Sequence, residues 1–398
     1  MKISDSTPNS PVRLVSFALL ALFASLSLGV KAQTAQYPAV RPINIGQLAS
    51  VTNPLTAAIA SEYIAGIELA FNRVNALGGI KGRPVTLVTK DDNFDASRAV
   101  ATTDRLVEQE DIVAMVGNFG TQPLLKLASE GTLEKHRLAS IAPMTGLQSA
   151  LSKPHVFALR ASYEDEVLAM FNHAYRVQHN KVAYVYFEAG VGTHLAKLAP
   201  DMAVQSRVDL IGPKGFQVTA DKALQEGAVT EALKTLGNAA PQAVVLIAVG
   251  GVHSDAVKAL RKHYGVAIPI YSLGQVSSAA LIRDVGNMAA SGVMLTQVVP
   301  EPGKTFTQVT REFNADLRKR SPPTTPSYML LEGYLAGRVT TEILRRSKTM
   351  SCDAVLKAAQ NAGEIDLGGY RVVYSPKERK SLHPVELTMI SQGGKLIR

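Results

Sequence analysis

The sequence predicts an α/β protein built as two doubly wound parallel-sheet lobes. Three observations carry that expectation. From Ile43 onward, short apolar runs alternate with stretches of helical periodicity, the pattern of parallel strands covered by helices. The alternation restarts after Tyr163, so the same construction occurs twice. The chain has 398 residues, more than a single hydrophobic core accommodates.

In order along the chain, Ile43 to Leu48 reads as the first strand. Ile64, Ile67, Phe71 and Val74 then recur at helical spacing until Gly78-Gly79 stop the helix. Val85 to Val88 is the next strand, followed by a helix through Val100, Leu106 and Val107, a strand at Ile112 to Val116, a helix around Leu124 to Leu133 and a strand at Leu138 to Ala142. The second half supplies a helix after Tyr163 and strands at Val182 to Tyr186, Val208 to Ile211, Ala243 to Ala248 and Ile268 to Ser272. Helical patterns at Tyr328 to Arg346 and Ala354 to Ala362 precede two closing strands, Arg371 to Tyr374 and Val385 to Ile390. No Ser/Gly-rich linker divides the halves, and the candidate crossings are Ala158 to Ala161, Gln297 to Pro302 and Ser321 to Pro326. Lobes joined by several crossings are restricted to hinge closure, a motion that traps a ligand between them. The expected division assigns 38–159 and 300–365 to one lobe and 160–299 and 366–398 to the other.

The first 32 residues read as a secretory signal peptide: Lys2 and Arg13 give a positive start, Leu14 to Val30 an apolar run, and Val30-Lys31-Ala32 a small-residue cleavage site. The strongly apolar core is too short to span a bilayer. Cleavage after Ala32 leaves about 366 residues and takes the formal charge from +9 to +7, with the loss of Lys2, Arg13, Lys31 and Asp5. No cysteine near the cleavage site offers a lipid attachment point, and Cys352, the sole cysteine, excludes an intramolecular disulfide. The expected location is the periplasm. The moderate, scattered positive charge reads as solubility, and basic clusters such as Arg345-Arg346 and Lys377 to Lys380 lack interleaved aromatics, so no nucleic-acid partner is expected.

Catalytic chemistry is hard to find. The eight histidines form no His-x-x-x-His pair around a carboxylate, and no Gly-x-Ser-x-Gly elbow occurs. Gly78-Gly79-Ile80-Lys81-Gly82 follows a helix, whereas a phosphate cradle lies between strand and helix. Asp91-Asp92 reads as loop capping rather than a metal pair, since adjacent carboxylates point different ways. No enzyme, metal or cofactor is expected.

A ligand in an open parallel α/β sheet gathers at the carboxyl ends of the strands. The sequence places hydroxyl, amide and small residues there repeatedly: Ser50 and Thr52 after the first strand, Asn118, Phe119, Gly120 and Thr121 after the third, and Met144, Thr145 and Gly146 after the fourth. Such loops suit a carboxylate or another polar head held by hydroxyls and main-chain amides. Taken singly, each Ser or Thr is more often a helix N-cap, and it is three such loops along one sheet edge that bring the shared-site reading level with it. The second half offers an opposing wall from Glu188 and Val191, from His253, and from Gln275, with Tyr163 contributing an aromatic face.

These residues resemble a known family. Gly66-Ile67-Glu68-Leu69-Ala70, Asn75-Ala76-Leu77-Gly78-Gly79-Ile80-Lys81-Gly82-Arg83, Asp91-Asp92, Thr121-Gln122-Pro123, Phe157-Ala158-Leu159-Arg160-Ala161 and Asp366-Leu367-Gly368-Gly369-Tyr370 are similar to stretches of periplasmic solute-binding proteins of the leucine/isoleucine/valine type. The resemblance spans nearly the whole chain after the signal segment. It implies the type 1 periplasmic binding protein fold with a three-crossing hinge, no cofactor, and capture of a small-molecule ligand for an ABC transporter permease in the inner membrane, by a monomer. It also implies that Gly120, Thr121, Met144, Thr145 and Gly146 match the first-lobe positions that hold the carboxylate and ammonium group in amino-acid binders, and these positions remain able to bind a carboxylate. In amino-acid binders of that family a second-lobe aromatic and a glutamate complete the site; the nearest matches here are Val191 and Gly274 or Gln275, so the ammonium partner is missing. A small organic acid, an aromatic carboxylate or an amide then fits better than a branched-chain amino acid. The competing expectation is a periplasmic ligand-sensing module working with a separate membrane partner.

Overall fold

The computed structural model describes residues 40–54, 56–217, 222–236, 240–320 and 322–398. The expected signal segment and cleavage site, within residues 1–32, lie outside them. The first sheet is assembled from β1 (Ile43–Ala49), β2 (Val85–Asp91), β3 (Ile112–Val116), β4 (Ser140–Ile141) and β5 (Val156–Phe157) in the order β2-β1-β3-β4-β5, all neighbours parallel. Between the strands run α1 (Ala57–Ala76), α2 (Ala96–Glu110), α3 (Thr121–Ser129), the single turn α4 (Thr132–Lys135) and the short α5 (Gln148–Leu151). Every residue of β3 is buried, as a central strand covered on both faces requires.

The second sheet repeats the plan. It follows α6 (Tyr163–Arg176) with β6 (Lys181–Phe187), α7 (Gly190–Gln205), β7 (Asp209–Phe216), α8 (Lys222–Lys234), β8 (Ala243–Ile247), α9 (Gly250–Tyr264), β9 (Ile270–Ser272), α10 (Ser278–Ala290) and β10 (Val293–Gln297). Its parallel part, β7-β6-β8-β9-β10, has the same strand order as the first sheet. The chain then returns through α11 (Gln308–Leu317), α12 (Tyr328–Arg346) and α13 (Cys352–Gln360) to a three-stranded antiparallel sheet of β11 (Gly363–Asp366), β12 (Arg371–Tyr374) and β13 (Arg379–Ser381). β14 (Glu386–Ile390) and β15 (Leu396–Ile397) finally add to the edge of the second sheet, antiparallel to β10 and to each other.

The strand order reverses direction between β1 and β3 in one sheet and between β6 and β8 in the other. Both reversal points are crevices at the strands' carboxyl ends, where α/β sheets hold ligands. α1 is held beside them by backbone-to-backbone packing on α12. A Cβ at Gly66 would stand 2.2 Å from the Leu330 carbonyl, and one at Gly333 would stand 2.1 Å from that of Tyr63, so the two helices approach to a distance that only glycine permits.

Three segments cross between the lobes: residues 158–162, 298–307 and 382–385. The first two follow the sequence. The third does not fall at 322–326 within the expected Ser321 to Pro326 crossing, because α11 and α12, on either side of that segment, share the first core through Val309, Phe313, Leu335 and Val339. Its prolines mark a helix-to-helix connection within one lobe. Residues 370–374 also pack with the first lobe, not the second: alternation along β12 turns Tyr370, Val372 and Tyr374 onto one face, which is buried in the same core as Ile43 and Tyr334.

Tyr370 ties the crossings together. Its hydroxyl donates to the Leu159 carbonyl at 2.6 Å and accepts from Ser381 Oγ at 3.0 Å, with the Val298 carbonyl at 3.4 Å. Each of the three crossings begins within one residue of these contacts. Tyr370→Phe leaves buried polar groups without their partner and is expected to lower unfolding free energy by about 1–3 kcal/mol. Tyr374→Phe, whose hydroxyl reaches the Phe157 carbonyl only at 3.5 Å, should cost clearly less in the same denaturant titration.

Candidate functional site

The helices that start at the two reversal points lack side-chain caps, as do the one-turn helices α4 and α5. α1, α3, α7 and α9 follow β1, β3, β6 and β8, and none of the four has a side chain capping its N-terminus. By contrast, Asp95, Ser162, Ser277, Thr307, Ser327 and Ser351 cap α2, α6, α10, α11, α12 and α13. The first-turn amides of a helix carry partial positive charge and need acceptors. At these four strand ends the helix starts therefore present first-turn amides with no side-chain acceptor. Gly120 before α3 has φ +96°, and a Cβ there would meet the Phe94 ring at 2.7 Å, so that helix start must stay bare. Gly190 and Gly250, the first residues of α7 and α9, also have a positive φ, whereas Thr56 before α1 has φ −124°.

Around these helix starts the first-lobe residues expected at the site are drawn together. Ser50 is buried and pairs with Thr56 through their hydroxyls at 2.7 Å. Asn118 is buried, accepts from the Leu48 amide at 3.1 Å and ties the ends of β1 and β3. Phe119 and Met144 form a parallel bridge, and the Thr121 and Thr145 hydroxyls lie 2.6 Å apart. Gly146 accepts from the Tyr163 amide at 2.7 Å, and its Cα lies against the tyrosine ring with no room for a Cβ. Thr52 stands apart from this group, exposed, with Asn93 Oδ1 at 3.4 Å.

The second-lobe residues divide. The Tyr163 hydroxyl donates to Gln275 Oε1 at 2.9 Å, so this ring is bonded to the first lobe by its backbone and to the second by its side chain. Val191 is half-buried on the first turn of α7. Glu188 is exposed; its carboxylate accepts from Gln217 and its side chain lies over Gly215. His253 is fully enclosed, with Nε2 2.8 Å from the Ser272 hydroxyl and Nδ1 without a partner.

A cavity of about 1070 Å³ opens between the lobes beside Gln275, lined by Ile59 and Glu62 of α1, Val276, Leu295 and Tyr328 among others. Desolvation, reinforced by Glu301, pushes the Tyr328 hydroxyl up to about 12. Glu62 accepts from Ser327 at 2.6 Å. Sequence reasoning missed a buried charged group next to this cavity: Arg160, Glu166 and Glu332, all at most 5% exposed. The available signal was a charge inside an apolar run, Phe157-Ala158-Leu159-Arg160 and Leu330-Leu331-Glu332. Asp91 and Asp92 cap the loop amides of Asn93 and Phe94, each at 2.9 Å.

Residues 42–395 match the profile of a family described as periplasmic binding protein. A Leu/Ile/Val-binding protein homolog 7 of Brucella abortus is 23% identical over 404 residues, covering 94% of this chain and 95% of that one. Among solved structures, an extracellular ligand-binding receptor from Verminephrobacter eiseniae superposes with a TM-score of 0.81 at 25% identity, over 90% of this chain and all of that one. A branched-chain amino acid ABC transporter protein from Thermus thermophilus with bound valine gives 0.76 at 17% identity, over 90% and 94% of the two chains.

Burial holds the His253 imidazole down at about 4, against an ordinary 6.5. The unfolded chain therefore binds a proton over that interval that the native state refuses, and stability falls as pH drops from 6.5 toward 4. The linked loss is roughly 3 kcal/mol. In His253→Asn, acid titrations of unfolding free energy should lose that part of the slope.

Proposed function

The chain belongs to the periplasmic binding protein family, and we propose that it captures a small carboxylate or amide between its lobes in the periplasm and delivers it to the permease of an ABC importer. The observation that carries this reading is that the four helices starting at the two reversal points have no side-chain caps. Amides in that arrangement complement an anionic or acceptor-rich head, and the Thr121–Thr145 hydroxyl pair offers a rotatable donor beside them. Hinge closure over the three crossings would bring the second wall, with Val191 and Gln275, against the ligand. A monomer exposes both lobes to the permease.

The choice of head group rests on where the carboxylates are. An ammonium taken into a closed cleft without a counter-charge costs several kcal/mol. Glu188 is exposed and engaged by Gln217, and Glu166 is engaged by Arg160, the Gly274 amide and Thr296. Gly274 itself has no space for a side chain: a Cβ would lie 2.1 Å from the Thr296 carbonyl. Glu62 and Glu301 line the cavity itself, the first accepting from Ser327 and the second beside Lys304 and Arg398. An acid or amide without an amine needs none of them.

Thermal unfolding of the mature protein, freed of carried-over ligand, separates the alternatives. Leucine and 4-methyl-2-oxopentanoate share a side chain and a carboxylate and differ in the amine. At about 100 times its dissociation constant a ligand adds about 2.7 kcal/mol to native stability, a shift of about 4 °C for a chain of this size. The expected result is a shift with the oxo acid and none with leucine or valine, and a weaker one in Thr121→Ala. A shift with leucine alone would overturn the amine-free ligand and leave the transport role standing.

A further inference from the structure

The buried charged group beside the cavity has a geometry that a core ion pair does not require. Glu166 lies on the first turn of α6 and uses both carboxylate oxygens. Oε1 accepts from Arg160 Nη2 at 2.8 Å. Oε2 accepts from the Gly274 amide at 3.0 Å and from the Thr296 hydroxyl. These three donors come from different parts of the hinge and site. Arg160 belongs to the first crossing, Thr296 is on β10 just before the second crossing, and Gly274 precedes Gln275 in the loop that faces the cavity. Arg160 also reaches across to Glu332 of α12, in the first lobe, at 3.6 Å.

From this arrangement we infer that Glu166 is a positioning residue: it fixes the loop that presents Gln275 to the cavity, and through Arg160 it makes that loop follow the hinge. The inference rests on the ligand-capture reading. The loop is set from two sides. Gly274 is pressed onto the Thr296 carbonyl with no side chain between, and its amide is held by Glu166. Gln275 is then held in turn by the Tyr163 hydroxyl, one helical turn before Glu166. A rotation at residues 158–162 moves Arg160, hence the carboxylate it grips, hence the amide of Gly274. The wall of the cleft and the angle of the hinge are thereby read by one side chain.

Glu166→Gln tests this without changing shape. An amide has one acceptor oxygen where the carboxylate has two, so its NH₂ must face either the guanidinium or the Gly274 amide, donor against donor. Hydrogen exchange followed by mass spectrometry on ligand-free protein is expected to show at least tenfold faster exchange in Leu273–Ser277, with Ile112–Val116 at the wild-type rate. Thr296→Val removes one donor and keeps the carboxylate; exchange there should rise severalfold, and this variant decides the matter if Glu166→Gln does not fold. Spin labels at Thr52→Cys and Gly251→Cys, at the exposed rims of the two lobes in a Cys352→Ser background, should give a broader distance distribution in Glu166→Gln. Wild-type exchange at 273–277 in a folded variant overturns the inference, as does a uniform rise across both sheets, the mark of a plain stability element. An unchanged distance distribution overturns the hinge coupling. No ligand enters these measurements, so a failed ligand screen and a failed positioning role are told apart.

Discussion

Arg160 is enclosed where the chain first passes between the lobes, and a guanidinium is kept in such a place only among carboxylates and acceptors. Isolated, it would cost several kcal/mol of lost hydration. Burial acts to lower its proton affinity, but Glu332 and Glu166 outweigh that and raise it, so the charge stays on the arginine. Two carboxylates around one cation leave an excess of negative charge. The excess falls on Glu332, whose carboxyl is pushed up by its own burial and further by Glu166, while Arg160 pulls it back down. Glu166 is instead surrounded by donors. The arrangement sets a polar junction among the buried apolar residues of the crossings, Ala158, Leu159, Val298 and Val299, and a polar junction has definite angles. Tyr370 completes it, with one hydroxyl touching the backbone of the first two crossings and the side chain of Ser381, just before the third.

The same economy of polar groups appears at the helix starts. A protein that caps α2, α6, α10, α11, α12 and α13 with Asp, Ser or Thr has no shortage of capping residues. At α7 and α9 the capping positions are Ala189 and Val249, which have no acceptor to offer, and at α3 the position is Gly120. The hydroxyls that stand near α1 and α3 are spent on one another: Ser50 on Thr56, Thr121 on Thr145. Leaving the four helix starts at the two strand-order reversals bare forgoes up to about 1 kcal/mol each. The uncapped starts recur in both lobes at the same places in their shared strand order.

How far the sequence revealed this depends on the physical range of each feature. Strands buried on both faces, such as Ile112 to Val116 and Ala243 to Ala248, are apolar runs bounded by turn residues and read directly. β5 and β15, two residues each, and the polar β13 have no such signal, because their hydrogen bonds come from neighbours distant in sequence. β10 was legible only as the start of a crossing: Val293 to Gln297 is an ordinary strand that ends where the chain leaves the lobe. The proline-rich 322–326 segment misled because prolines mark both linkers and helix-to-helix turns, and only the shared core of α11 and α12 distinguishes them. Site residues were found where the strand-end rule applies, in the loops at 118–121 and 144–146. The Arg160–Glu166–Glu332 group was not, since its members lie six and 166 positions apart and meet only in the folded chain.

Fold and ligand are specified by different residues, and this is why family membership reaches one and not the other. The lobes are held by extended apolar cores and by close approaches such as Gly66 on Leu330 and Gly333 on Tyr63, contacts that persist through wide sequence change so long as volume and glycine are kept. The cleft wall depends on a few positions whose chemistry can change without disturbing those cores. Gly274 illustrates the point: at a loop position facing the cavity it carries no side chain, because the Thr296 carbonyl occupies the space. The carboxylate beneath it, Glu166, belongs to the hinge through Arg160. A negative charge is thus near the cavity but already committed, and what a ligand meets there is the amide of Gln275, oriented by Tyr163.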